Sequence, residues 1–115
     1  MGQKLLFAER KVFYEGKFLL ISIDTTIVAT SQHMSSELGG EAIILDLQRG
    51  MYYGLSGVGA YIWGALQQPQ LVRDLRDAIL NDYDVAPEQC ERDLIALLHE
   101  LAATGLIEVR DVVAA

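Results

Sequence analysis

Residues 41–66 read EAIILDLQRGMYYGLSGVGAYIWGAL, and their punctuation decides the fold. Residues 42–47 are a short apolar run ending at Gln48, Arg49 and Gly50, whose glycine can take the positive φ that closes a three-residue hairpin. Residues 51–55 are then the returning strand. Ser56 is placed to cap the N–H groups that follow, and Val58, Ile62, Ala65 and Leu66 recur at helical spacing, so the chain passes from strand into helix. A hairpin feeding straight into an amphipathic helix is the nucleus of a small α+β domain. Trp63 is expected beneath the sheet, on a helix face that covers Ile43, Leu45 and Leu47.

Upstream, residues 24–30 alternate threonines with Ile27, Val28 and Ala29, as an early strand of the same sheet would. Residues 31–40 are polar and end in Gly39-Gly40, which reads as a loop. Before these lies a long arm. Apolar pieces at 5–7 and 12–14 flank the charged triplet Glu9, Arg10 and Lys11, and a second turn signal stands at Glu15-Gly16-Lys17. Short strands are the reading, with a single helical turn over 5–9 as the alternative. The arm is either an extra hairpin covering one side of the core, a cover for the domain's own groove, or an appended segment.

Downstream, Pro69 breaks the first helix. Leu71, Leu75 and Ile79 mark one face of a second helix, with Arg73, Asp74, Arg76 and Asp77 opposite. Pro87 suits the first turn of a third helix, Glu88 suits its positive end, and Gly105 is its stop. Cys90, Leu94, Leu97, Leu98 and Leu101 form its inner stripe, widened on one flank by Ile95 and Ala102. Either the domain buries this helix on both sides or the extra flank lines a groove. Residues 106–109 are a last short strand or an extended tail, and 111–115 are expected to fray.

Composition narrows the function. The chain has 115 residues, enough for one domain, and 51% of them are apolar. Nine basic residues against sixteen acidic ones leave a net charge of -7, which repels phosphate backbones and favours a basic partner surface. No apolar run reaches the length of a membrane span, and the single cysteine fits a reducing compartment, so a cytoplasmic protein with no membrane partner is expected.

No constellation for catalysis emerges. Cys90 lies on an apolar stripe, where burial opposes the thiolate. His33 and His99 are far apart, lack clustered ligands and are expected to face solvent. Gly54, Gly57 and Gly59 have the wrong spacing for a phosphate loop, and no Lys-Ser/Thr follows. Asp82 and Asp84 sit in a turn without the ligand count that a cation needs. A non-catalytic protein without a cofactor is the expectation.

The expected fold class is α+β: a winged helix-turn-helix, with a three-stranded antiparallel sheet followed by three helices and an N-terminal extension. Its parts are an extension over 1–22, a domain over 23–110 and a tail over 111–115. In such a meander the strand 51–55 is an edge whose unpaired N–H and C=O groups accept an added strand. A DNA-binding reading needs cations on the outer face of the third helix, and that face offers Arg92 and His99 among Glu88, Asp93 and Glu100.

The ordered set Asp46, Gly50, Tyr52 or Tyr53, Leu55, Gly59 and Ile62-Trp63 resembles the pattern of the PqqD-like proteins, recognition elements for leaders of ribosomally made, modified peptides. The resemblance continues through Tyr83-Asp84-Val85, Asp93 and residues 101–107, and so spans roughly 23–109. The chain lacks the Tyr-Pro-Glu-Gly wording of the pyrroloquinoline quinone pathway; its DLQRGMYY looks more like stand-alone leader binders of lasso-peptide and radical-SAM pathways. The resemblance implies a leader that adds antiparallel to the strand 51–55 and lies against the third helix. The expected peptide-binding residues are Met51, Tyr52, Tyr53, Gly54, Leu55, Glu91, Ile95, Leu98 and Ala102. The expected partners are a precursor leader and a modifying enzyme, either a radical SAM enzyme or a leader peptidase. An acidic winged-helix regulator and a dimerising adaptor stay open, as does a homodimer.

Overall fold

The computed structural model describes residues 13–14, 17–18, 21–31 and 33–110. Its centre is the expected hairpin, β5 (Glu41–Asp46) and β6 (Met51–Ser56), paired from Asp46↔Met51 to Glu41↔Ser56. Asp46 makes the turn: it is 5% exposed, and its Oδ1 accepts the N–H groups of Gln48 at 3.0 Å and Arg49 at 3.2 Å. Gly50 completes a four-residue loop, one longer than expected, with φ at 67°.

The third strand of this sheet is not the expected one. Residues 31–40 were expected to be a loop, yet β4 (His33–Leu38) pairs with β5 along its whole length. Met34, Ser35, Ser36 and Glu37 are all exposed, so β4 is held by its backbone ladder and leaves almost no hydrophobic signature. β3 (Thr26–Ala29), expected in that place, instead lies between β7 (Gln70–Leu71) and β8 (Ile107–Val109) in a second antiparallel sheet. Residues 106–109 are therefore strand, not tail.

Three helices close the core: α1 (Val58–Ala65), α2 (Val72–Asp82) and α3 (Pro87–Ala103). Ser56 does not cap α1: it ends β6, and Gly57, with φ at 57°, makes the bend without a side-chain cap. Pro87 occupies the first turn of α3, and Gly105, with φ at 81°, stands just past its end. Ile62 and Trp63 from α1 and Leu66 just past its end meet Leu75 and Ile79 from α2 and Leu94, Leu97, Leu98 and Leu101 from α3 in one cluster. The architecture is a winged-helix-like α+β fold.

Trp63 is buried as expected, at 2% exposure, but the sheet residues over it are the opposite set. Ala42, Ile44 and Asp46 face inward, whereas Ile43, Leu45 and Leu47 are on the solvent side. Upstream, β1 (Phe13–Tyr14) and β2 (Lys17–Phe18) form a small hairpin around the Glu15-Gly16 signal, with β1 against α3. The apolar piece at 5–7 and the tail 111–115 lie outside the described residues.

Candidate peptide-binding edge

β6 is the last strand of its sheet, so among the described residues its outer edge pairs with nothing. Side chains alternate along it. Tyr53 and Leu55 are half-buried against the core, while Met51, Tyr52 and Gly54 are exposed. The edge thus offers backbone donors and acceptors with an apolar surface on either side, as an incoming extended peptide requires.

On α3, Ile95 is half-buried and borders the same core cluster as Tyr53 and Leu55. Leu98 and Ala102 differ from a groove wall: at 0% and 1% exposure they are core residues. Ile21, 2% exposed, belongs to that cluster too, and its N–H donates to Nε2 of His99 at 3.1 Å. Ile21 and β1 therefore lie against α3. Glu91 is committed elsewhere, since its Oε1 accepts from Arg76 Nη1 of α2 at 3.0 Å.

Neither histidine faces solvent as expected. His99 accepts the Ile21 N–H, and the His33 ring stands edge-on to Trp63 with centroids 5.0 Å apart. Both ring nitrogens of His33 and Nε1 of Trp63 are buried with no hydrogen-bond partner among the described residues. Cys90 is 5% exposed; burial pushes its thiol up, and Arg76 opposes that only in part. The described residues contain no group of three His, Cys, Asp or Glu placed to hold a metal.

Sequence reasoning missed the outer face of the β4–β5–β6 sheet. Met34, Leu45 and Tyr52 form one row across it, beside the row Ser36, Ile43 and Gly54. Met34 is 61% exposed and Tyr52 73%. The signal that could have found this face is the run Ala42-Ile43-Ile44-Leu45, apolar at every position and therefore apolar on both sides of a strand.

A winged-helix-like module whose last central strand leaves an edge unpaired among the described residues has the architecture of a peptide recognition element of ribosomally made, modified peptides. The family model of coenzyme PQQ synthesis protein D (PqqD) matches residues 41–107, more than half of the chain. The chain belongs to the PqqD family. Among solved structures it is similar to TbiB1 in complex with the TbiA(beta) leader peptide, with 34% identity and a TM-score of 0.67, over 70% of this chain and 94% of that one. It also shares the fold of a lasso peptide synthetase B1 complexed with its leader peptide, at 22% identity and a TM-score of 0.64, over 71% of this chain and 96% of that one. No curated protein matches it. No helix among the described residues is long and apolar enough to cross a membrane.

Proposed function

We propose that this protein binds the leader of a ribosomally made precursor peptide by strand addition at the free edge of β6 and presents it to a separate modifying enzyme, in the cytoplasm. The observation that carries the reading is the edge of β6, unpaired among the described residues, flanked by Tyr53 and Leu55 and bordering the same core as Ile95. It is supported by the similarity to TbiB1, a protein solved with its leader bound. Backbone hydrogen bonds give register, and alternate side chains give choice. The chain supplies no reacting group: it raises the effective concentration of the precursor at a radical SAM enzyme or leader peptidase. The likeness to a lasso peptide synthetase B1 favours a lasso-type precursor.

Calorimetric titration with the leader of the precursor encoded beside this chain tests the reading. Ile95→Asp, which places a charge at a half-buried position bordering the same core as Tyr53 and Leu55, is expected to weaken the leader at least tenfold while the domain stays folded, a loss of about 1.4 kcal/mol or more. With Ile21 and β1 against α3, the N-terminal arm is taken as a competitor for the groove, so deletion of residues 1–18 is expected to tighten binding by the inverse of the fraction of time the groove stands open. Unchanged affinity in the folded Ile95→Asp variant places the groove elsewhere; unchanged affinity on deletion ends the competition idea alone.

The chain is also expected not to retain duplex DNA in a mobility shift at physiological salt. Its net charge is -7, and Arg49, Arg73 and Arg76 are each engaged with a carboxylate, on Asp46, on Asp24, and on Asp77 and Glu91. Salt-sensitive retention below micromolar concentration overturns the peptide-binding reading in favour of a winged-helix regulator.

A further inference from the structure

β4 joins the central sheet without joining the core. The core cluster takes Ala42 and Ile44 from β5 and Tyr53 and Leu55 from β6, but no described side chain of β4. Ser35 lies opposite Ile44 and points to the same side; Ile44 is 0% exposed whereas Ser35 is exposed, so the helices do not reach under the middle of β4. Glu37 extends over Gly64 of α1, near enough for its Oε2 to stand 3.3 Å from a Cβ added there, yet it stays exposed and has no hydrogen bond or ion pair among the described residues. Met34, on the outer side, faces water. From Met34 to Glu37 the strand is therefore a backbone ladder with solvent on both faces, and such ladders open at little cost.

The side chain that ties this strand to a helix is His33, whose ring meets Trp63 at 62° between planes. That contact is opposed at its own site. Both ring nitrogens of His33 and Nε1 of Trp63 are buried without a partner among the described residues. Asp46, directly opposite His33, gives them nothing: its Oδ1 takes the N–H groups of Gln48 and Arg49, and its Oδ2 faces Arg49 Nε at 3.9 Å. Three polar atoms lose their water when the strand lies down and recover it when the strand lifts, so the packing of the two rings is offset by unmet hydrogen bonds. The chain is pinned before β4 and unpacked after it. Thr30 donates its N–H to Leu106 O and its hydroxyl to Gly105 O, both at 2.9 Å, whereas a Cβ added to Gly39 or Gly40 in the following turn would meet nothing within 4 Å.

We propose that β4 is a strap that opens from β5 as a unit while the helices, the β5–β6 hairpin and the second sheet stay folded, with the His33–Trp63 contact as its clasp. The closed strap covers one edge of β5, the strand that is apolar on both faces; the open strap bares that edge and the Trp63 indole. The core survives the opening because β5 keeps its ladder to β6, and Ile44 keeps its place in the cluster with Ile62 and Trp63. The device is independent of what β6 binds.

Residue-resolved hydrogen exchange of the full chain tests it. The amides shared by β4 and β5 are expected to exchange roughly tenfold or more faster than those shared by β5 and β6, at rates that low urea hardly changes, because a local opening exposes little surface. His33→Phe keeps a ring on Trp63 and removes the two partnerless nitrogens, so it is expected to slow the β4–β5 amides several-fold relative to the β5–β6 amides of the same chain. His33→Ala removes the clasp and is expected to speed them. β4–β5 amides that exchange in step with the β5–β6 amides of the parent show that β4 leaves only when the domain unfolds, and overturn the strap. A His33→Phe chain in which they exchange no slower, or a His33→Ala chain in which they exchange no faster, overturns the inference by removing its clasp.

Discussion

Ile44→Asp is expected to leave the chain unfolded at room temperature, while Leu45→Asp, one residue away, melts within a few degrees of the parent. Ile44 is 0% exposed and lies opposite Tyr53, in the same cluster as Ile62 and Trp63. An aspartate there forfeits about 2 to 5 kcal/mol of packing and must in addition bury a carboxyl group without partners, which costs several kcal/mol more. Together these match the whole stability of a domain of this size, about 5 to 15 kcal/mol. Leu45 is 39% exposed, in the outer row between Met34 and Tyr52, and its loss removes only cross-strand contact worth about 1 kcal/mol or less. Thermal melts followed by circular dichroism check the pair. The reverse outcome means that β5 presents its other face to the core.

Trp63→Ala is expected to cost about 3 to 5 kcal/mol and to lower the melting temperature by roughly 10 to 25 °C. Trp63 is 2% exposed, lies in the cluster that joins the sheet to the helices, and carries the His33 ring at 5.0 Å. Truncation opens a cavity between sheet and helix that rigid neighbours on both sides cannot close. Trp63→Phe separates volume from polarity. It keeps a ring and drops an indole N–H that has no partner among the described residues, so it should lose much less than the alanine variant. An alanine variant that melts with the parent shows that α1 does not anchor the sheet.

The residues that were read correctly are those whose structure is set by near neighbours. Gly50 closes the hairpin with positive φ because Asp46 and Met51 pair across it. Pro87 opens α3, Gly105 ends it, and Cys90, Leu94, Leu97 and Leu101 fall inside because 3.6-residue periodicity is a local property. The edge character of β6 was likewise legible, since residues 51–55 form the last strand before the helices. His33 was misread for the opposite reason: its partner, Trp63, is thirty positions away and reaches it only through the pairing of β4 with β5.

The sequence by itself determined the class of fold, the three helices, the central hairpin with its free edge, the charge that disfavours DNA, and the PqqD-like pattern. Tertiary structure alone decided which strand completes the central sheet, which face of β5 is buried, and how Ile21 meets α3. The reason is the same in each case. Ala42-Ile43-Ile44-Leu45 is apolar on both faces, so period-two alternation has no sign to read, and only packing on Ile62 and Trp63 assigns Ile44 to the core and Ile43 to solvent. β3 finds its partners at Gln70–Leu71 and Ile107–Val109, and Ile21 finds His99, across spans of about 45 to 80 residues. Pairings closed over such spans are chosen by the collapsed core, because no local signal distinguishes them from their alternatives.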